Sequence, residues 1–435
     1  CDWSAKEDFH KVKDELGIKG NEIMPFYSLA LEDNPKNQLL RSINYSKNRL
    51  EKFSSQKQVF SIYKNKKIKI GYYSSDFFDH ATMYLISGLL REHNKDQFEI
   101  MVFSYGKNKP TEFVKETMKN VNLFKDISNF PDLEIVRLSR ELKIDIAIDL
   151  KGYTQNSRSK LFAYRLAPIQ INYLGYPGSL GSSFIDYIIA DKILIPDEAK
   201  ENYSEKIIYL SNSYQPNDEK REISNIKTKK EDFGFPQNSI ILSCFNTTYK
   251  ITTEELEIWS RILNKIENTY LWLIKTNDIA ESNLKNFFKQ RNININRIKF
   301  TENLQHSKHL ERLSHSDLFL DTFNYNAHTT CSDALWAGVP VITKIGMQFS
   351  ARVASSLLNT LNLQELIVKN NNDYENLILD LLNNSEKLNK LKEKLKKNIK
   401  TEALFNTKKY TKDFETKLKK AYNKKNLNDE ISDIE

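Results

Sequence analysis

Short apolar runs alternate with amphipathic segments along most of the chain, and this alternation predicts its fold. The run KIKIGYYSS at 67–75 is followed by an apolar segment with helical spacing at 84–90, then by FEIMVFSY at 98–105 and IDIAIDL at 144–150. Strands that alternate with helices form parallel sheets whose two faces are covered by helices. The pattern therefore predicts an α/β domain over 67–235.

A second series of the same kind follows the polar connector at 213–235. Its first strands are SIILSCFN at 239–246 and TYLWLIK at 269–275, and helical patterns separate the later ones. We predict a second domain over 236–435 that includes the terminal helices, and a helical segment over 1–66. The expected fold class is α/β, with two Rossmann-like domains that face one cleft.

Composition and charge narrow the class of protein. Of the 435 residues, 40% are hydrophobic and 28% are charged, and no run approaches the roughly 18 apolar residues of a membrane span. The three cysteines are far apart, which excludes a disulfide framework and a cysteine-based zinc site and suits a reducing compartment. Much of the net charge of +8 lies in lysine-rich helical patterns such as 387–400, which are typical of solvated helix faces. We expect a cytoplasmic protein that binds neither nucleic acid nor membranes. Since the chain opens with Cys1 and not Met, we also expect it to be the C-terminal part of a longer protein.

Motifs of four common enzyme classes are missing from the sequence. It contains no GxGxxG, GxxxxGK[ST], HExxH or GxSxG. The sequence therefore lacks the motif that would support assignment to the dinucleotide dehydrogenases, P-loop NTPases, zincins or α/β-hydrolases. Catalytic or ligand-binding residues are expected at the strand ends, where open α/β sheets bind their ligands.

The strongest candidate segment is DTFNYNAHTTCSDALWAGVPVIT at 321–343. A strand ends near Phe323, and a helix begins near Thr329. Because the N-terminus of a helix attracts anions, Thr329 and Thr330 would hold a diphosphate there, and Asp333 one turn later could bind ribose hydroxyls. The alternative is that the threonines only cap the helix and that Asp333 is solvated.

Three weaker candidates also follow predicted strands. Lys250 could offer its charge to a phosphate leaving group, and His80 stands where a catalytic base or an orienting donor is often found. The glycines between 152 and 181 would allow a ligand to approach the backbone closely. Each candidate has an ordinary alternative. Lys250 could be a solvated side chain, His80 could be a helix cap, and the glycines could serve packing or turn formation.

Taken in order, these segments resemble the catalytic region of the protein O-GlcNAc transferase family, in its bacterial type. The resemblance spans 66–425 and rests on IGYYSSDFFDH, DLKGYT, LFAYRLAPIQINYLGYPGSLG, FNTTYKI, AHTTCSDALWAGVPVIT and ARVASSLL. It implies a GT-B fold, with tetratricopeptide repeats ahead of the catalytic region. It also implies inverting transfer of N-acetylglucosamine from UDP-GlcNAc to Ser or Thr hydroxyls of proteins, with neither a metal nor a cofactor.

The resemblance assigns roles to the residues that match its motifs. Lys250 would stabilise the departing UDP, His80 would be a catalytic base or hydrogen-bond partner, and Thr154 would lie near the sugar or the acceptor. The nucleotide would be bound by Thr329 and Thr330 at the diphosphate, Asp333 at the ribose, and His309, Arg312 and His328 at the nucleoside.

Three positions depart from the animal members of that family. Thr247 and His306 replace a Gln near the diphosphate and a Lys near the ribose, so the resemblance places both at the nucleotide. Lys151 replaces an Asn in the loop on the acceptor side.

Several alternatives stay open on the sequence alone. The donor could be another nucleotide sugar, such as UDP-glucose or GDP-fucose, because relatives with this fold differ in donor. UDP-sugar epimerases share the architecture but not this run of motifs. A catalytically silent sugar-nucleotide module is disfavoured, because it would not need His80, Lys250 and the HTT segment together. The general base could be His80, water or the phosphate itself.

Overall fold

The computed structural model describes residues 1, 3–54 and 61–435, which form two compact units. The N-terminal unit consists of Asp14–Ser28, Asn34–Lys220 and Ala403–Glu435. The C-terminal unit consists of Cys1–Lys13, Leu29–Asp33 and Arg221–Glu402.

Within the described residues, each unit is built on a parallel β-sheet. The strands, in chain order, are β1 (Ile68–Ser74), β2 (Phe98–Ser104), β3 (Leu123–Asp126), β4 (Ile146–Asp149), β5 (Ile169–Asn172), β6 (Tyr187–Ala190), β7 (Lys206–Tyr209), β8 (Ile240–Cys244), β9 (Thr269–Ile274), β10 (Ile298–Thr301), β11 (Leu318–Leu320), β12 (Val341–Lys344) and β13 (Ile367–Val368). The order is β3-β2-β1-β4-β5-β6-β7 in the N-terminal unit and β10-β9-β8-β11-β12-β13 in the C-terminal unit. The predicted pair of parallel α/β sheets is confirmed.

Helices connect most of the successive strands and also lie before the first strand and after the last. In chain order they are α1 (Ser4–Val12), α2 (Pro35–Arg49), α3 (Ala81–Glu92), α4 (Glu112–Met118), α5 (Asp132–Glu141), α6 (Lys160–Ala163), α7 (Thr253–Lys265), α8 (Asp278–Lys289), α9 (His306–Leu313), α10 (Thr329–Trp336), α11 (Val353–Thr360), α12 (Asn371–Asn383), α13 (Ser385–Thr401) and α14 (Thr407–Asn426). None of the helices that the structure describes is long and apolar enough to cross a membrane.

The central strands are buried along nearly their whole length. Strand β4 has the sequence IAID with every residue buried, and the last five residues of β1 are buried as well. Strands covered on both faces by helices need such continuous burial, which is why their sequences show apolar runs rather than alternation.

The strand order reverses beside the first strand of each sheet. In the N-terminal unit, β1 lies between β2 and β4; in the C-terminal unit, β8 lies between β9 and β11. Ligands of open α/β sheets bind beyond the carboxyl ends of the strands at such a reversal. The turns after these strands are therefore the places where each unit is expected to hold a ligand.

The unit boundaries differ from the predicted domains. The chain passes from one unit to the other between Lys220 and Arg221 rather than at 235, and the segment 1–66 is divided between both units. Helix α14 belongs to the N-terminal unit, where Tyr410 donates its hydroxyl to the backbone oxygen of Tyr214 at 2.6 Å. An amphipathic pattern shows that a helix has one buried face, but it does not show which sheet covers that face.

Candidate nucleotide and acceptor sites

Polar residues at the reversal of the C-terminal sheet form a connected network. Strand β8 is followed by Asn246 and a turn at Thr248–Lys250, and β11 is followed at once by Asp321. Because parallel strands end at the same edge of a sheet, these two turns meet. The amide nitrogen of Asn246 donates to the hydroxyl of Thr322 at 2.8 Å.

Asp321 lies at the centre of this network. Its fully buried carboxyl group accepts hydrogen bonds from the backbone N–H groups of Thr322 (2.8 Å) and Ala327 (2.6 Å) and from the hydroxyl of Thr343 (2.7 Å). Burial raises the pKa of Asp321 to about 7, although these hydrogen bonds oppose the shift. The loop from β11 to α10 is therefore folded around one carboxyl group, which fixes where α10 begins.

Lys250 is held against this loop. Its ammonium group donates to the backbone oxygen of Asn326 at 3.0 Å and lies 3.7 Å from the centre of the Tyr325 ring. Burial lowers the pKa of Lys250 to about 8, with the charge of Asp321 opposing the shift. The solvated-lysine alternative is therefore wrong, because this ammonium group is partly desolvated and fixed in position.

Helix α10 begins next to Lys250. Its N-cap residue, His328, makes no side-chain capping hydrogen bond, and the hydroxyl of Thr330 donates to Asn246 at 2.6 Å. Thr330 therefore ties the helix to the turn after β8, and Thr329 and Thr330 are both half-buried. The uncapped N–H groups at the start of α10 can interact favourably with an anion.

His328 is an uncharged group at this helix start. Its Nε2 lies 3.2 Å from the backbone oxygen of Ser350, so Nε2 carries the proton and donates it. Burial lowers the pKa of His328 well below its ordinary value, and the charge of Lys250 acts in the same direction. Positive charge at this helix start therefore comes from Lys250 and the helix, not from this imidazole.

Asp333, one turn into α10, is buried. Its Oδ1 accepts hydrogen bonds from Arg221 Nη1 at 2.8 Å and from His306 Nε2 at 3.1 Å. Burial alone would raise its pKa, but the hydrogen bond from His306 and the charge of Arg221 hold the pKa of Asp333 below its usual value. The alternative of a solvated Asp333 is wrong, because the carboxylate is enclosed and fixed.

His309 and Arg312 form a second pair on α9. Arg312 is fully buried and donates from Nε to His309 Nδ1 at 3.1 Å, and from Nη1 to the backbone oxygen of Glu302 at 2.7 Å. Burial lowers the pKa of His309 to about 4, so the imidazole is neutral and its proton lies on Nε2. Arg312 thus fixes the tautomer of His309, which presents an N–H donor.

A separate cluster lies at the reversal of the N-terminal sheet. Asp76 follows β1 and Lys151 follows β4; both are buried, and Lys151 Nζ donates to Asp76 Oδ2 at 2.7 Å. His80 is the N-cap of α3, where its Nδ1 accepts the backbone N–H of Thr82 at 3.2 Å. The hydroxyl of Thr154 donates to the backbone oxygen of Lys151 at 3.0 Å.

The helix cap determines the tautomer of His80. Because Nδ1 accepts a hydrogen bond, the proton of the neutral ring lies on Nε2, which is then a donor and not a base. Burial lowers the pKa of His80; the charge of Asp76 opposes this shift and the charge of Lys151 supports it.

The predicted site residues thus fall into two groups. His80 and Thr154 belong to the cluster of the N-terminal unit. The C-terminal unit contains Lys250, His306, His309, Arg312, His328, Thr329, Thr330, Asp333 and the exposed Thr247.

Four residues that support these sites were not singled out from the sequence. Asp76 comes directly after a predicted strand, Asn246 is the last residue of one, and Asp321 lies near the end of another, so a polar residue at a strand end was a usable signal. Arg221 lies in a charged connector and carries no local signal, because its partner Asp333 is more than a hundred positions away.

Comparison with known proteins gives consistent matches over most of the chain. The profile of glycosyl transferase family 41 matches residues 40–230 and 217–414. The probable UDP-N-acetylglucosamine–peptide N-acetylglucosaminyltransferase SEC of Arabidopsis thaliana is 33% identical over 364 residues, covering 82% of this chain and 37% of that protein. The corresponding SPINDLY protein of Solanum lycopersicum is 29% identical over 358 residues, covering 80% of this chain and 38% of that protein. The chain therefore spans well under half the length of these curated relatives.

Among solved structures, a variant of the O-GlcNAc transferase of Thermobaculum terrenum superposes with a TM-score of 0.84 at 22% identity. The match covers 98% of this chain and 80% of that structure. This likeness confirms the predicted GT-B fold.

Proposed function

The chain belongs to glycosyltransferase family 41, and on that premise we propose that it transfers N-acetylglucosamine from UDP-GlcNAc to serine or threonine hydroxyls of proteins. The observation that carries the proposal is the juxtaposition of Lys250 with the uncapped start of α10 at the reversal of the C-terminal sheet. Related proteins of Arabidopsis and tomato carry the name of this activity.

In the proposed reaction, the acceptor oxygen attacks the anomeric carbon in line with the leaving diphosphate, so the configuration inverts. The bond from that carbon to the phosphate oxygen breaks, and negative charge grows on the departing UDP. Lys250 and the first N–H groups of α10 would stabilise this charge, which is the role that a divalent ion has in other transferases. We therefore propose that transfer requires no metal.

The nucleoside would be bound by the clusters on α9 and α10. Asp333 is a fixed carboxylate that can accept hydrogen bonds from ribose hydroxyls, and His306 beside it can contact the same hydroxyls. His309 offers a neutral N–H to a carbonyl oxygen of the base. Thr329 and Thr247 lie at the two turns that would flank the diphosphate.

For His80, the structure favours one of the two predicted roles. With its proton on Nε2, neutral His80 can donate a hydrogen bond to a sugar or acceptor oxygen but cannot remove a proton through that nitrogen. We propose that His80 is a hydrogen-bond partner, and that the hydroxyl proton passes to water or to a phosphate oxygen of the donor.

The test is a donor panel with an intact-mass readout. The chain would be incubated with UDP-GlcNAc, UDP-glucose and GDP-fucose and a Ser/Thr-rich protein acceptor, each with and without EDTA. We expect a mass increase of one N-acetylhexosamine from UDP-GlcNAc alone, unchanged by EDTA. A hexose or fucose adduct would correct the donor, and loss of transfer in EDTA with recovery in manganese would contradict the metal-free mechanism. UDP binding without any transfer would indicate a silent module.

The pKa of Lys250 predicts an alkaline limit to activity. Only the ammonium form can meet the growing charge, and burial lowers its pKa to about 8. We expect kcat/KM to be level over the neutral range just below this pH and to fall tenfold per pH unit above it. The bound diphosphate favours the charged lysine, so the corresponding fall in kcat should lie at higher pH. The measurement is a pH–rate profile, and a kcat/KM that stays level up to pH 9.5 would contradict the assignment.

A further inference from the structure

The ion pair between Lys151 and Asp76 lies beside His80 and has no part in the reaction described so far. Both side chains are more than nine-tenths buried, and Asp76 Oδ2 lies 3.7 Å from His80 Nδ1 as well as 2.7 Å from Lys151 Nζ. One carboxylate oxygen is thus placed between a lysine and a histidine. Whether the Asp76 carboxylate favours protonation of His80 depends on whether Lys151 neutralises its charge.

Two states of His80 are in competition at this position. In the neutral ring, Nδ1 accepts the Thr82 N–H and caps α3. In the protonated ring, Nδ1–H would have to turn to Asp76, and the helix would lose its cap. An unpaired carboxylate at this distance strongly favours the protonated state, because opposite charges within a few ångströms stabilise each other in a partly buried site.

We propose that Lys151 is a positioning residue that, through its ion pair with Asp76, keeps His80 in the uncharged form whose Nδ1 caps α3 and whose Nε2 carries the proton. This inference deepens the proposed function and rests on it, because that form is the one that can donate to a sugar or acceptor oxygen. Lys151 itself is too deeply buried to bind the acceptor, so it acts through Asp76.

Other charged groups around His80 are engaged elsewhere. Asp79 accepts the hydroxyl of Thr111, which precedes α4, at 2.6 Å. Asp149, at the end of β4, accepts the backbone N–H groups of Lys151 and Gly152, and burial raises the pKa of Asp149 to about 6. Since Asp149 titrates in the same pH range, the ionisation of His80 must be read from its own signal.

The experiment is a histidine NMR titration of the whole chain, with the His80 resonance assigned from His80→Gln. In Lys151→Met, which removes the charge and keeps the length, we expect the midpoint of His80 to rise by about one to three pH units. In the double variant Asp76→Asn/Lys151→Met, which removes both charges, the midpoint should return close to the native value. An unchanged midpoint in Lys151→Met would overturn the inference. If that variant does not fold, Lys151→Gln gives the same comparison.

The pH dependence of transfer activity is a second test, because a purely structural role of Lys151 would not shift it. The acid limb of kcat/KM for transfer should move to higher pH in Lys151→Met and return in the double variant, while UDP affinity stays unchanged. A fall in activity that is equal at every pH would contradict the positioning role. If the native chain transfers no sugar, the proposed function fails, whereas the NMR midpoint still decides whether Lys151 controls His80.

Discussion

Replacing Lys250 by alanine is expected to lower kcat by about 10²–10³ and to weaken UDP binding far less. The ammonium group is already oriented by Asn326 and by the ring of Tyr325, so it needs no reorganisation when charge develops on the leaving group. The ground-state diphosphate carries less charge at the breaking bond than the transition state does. The loss therefore falls mainly on turnover, and less on binding.

The matched control is Lys275→Ala. Lys275 follows the neighbouring strand β9 as Lys250 follows β8, but its ammonium group pairs with Asp278 at 3.0 Å. Turnover should be unchanged in this control, and single-turnover rates together with calorimetric UDP binding would separate the two steps. Near-native turnover in Lys250→Ala would show that the lysine only packs against Tyr325.

The sequence was sufficient for the elements that depend on local pattern. The run IDIAIDL predicted a fully buried strand, found as β4, and the helix expected near Thr329 begins there. The resemblance to the protein O-GlcNAc transferase family is confirmed by the family profile and the curated relatives. In each case, the signal lies in consecutive residues.

The sequence was not sufficient where distant segments meet. The burial of Asp333 depends on Arg221, and the assignment of α14 to the N-terminal unit depends on contacts with α3 and β5, more than two hundred positions earlier. In both cases, the local sequence of one segment does not indicate which distant segment it contacts. The tautomer of His80 is set by a single helix-capping hydrogen bond, which spacing alone did not distinguish from a free imidazole.

Replacing Asp333 by alanine is expected to affect the fold as well as the ligand. The substitution leaves the guanidinium group of Arg221 buried without its carboxylate, and breaking a buried pair in this way costs about 3–5 kcal/mol of unfolding free energy. The stabilisation is present at neutral pH and is lost as the pH falls through the lowered pKa of Asp333, because protonation removes the same charge. UDP affinity should also fall, by about 10- to 100-fold for the loss of a charged hydrogen-bond acceptor.

The double variant Arg221→Met/Asp333→Ala separates these two effects. Removing both charges leaves no unpaired ion, so most of the lost unfolding free energy should return, whereas UDP affinity should stay low because the ribose acceptor is still absent. Denaturant unfolding and calorimetric UDP titration of the three proteins would give both quantities. If UDP affinity recovers together with stability, Asp333 acts only by neutralising Arg221, and the ribose must be bound by another group.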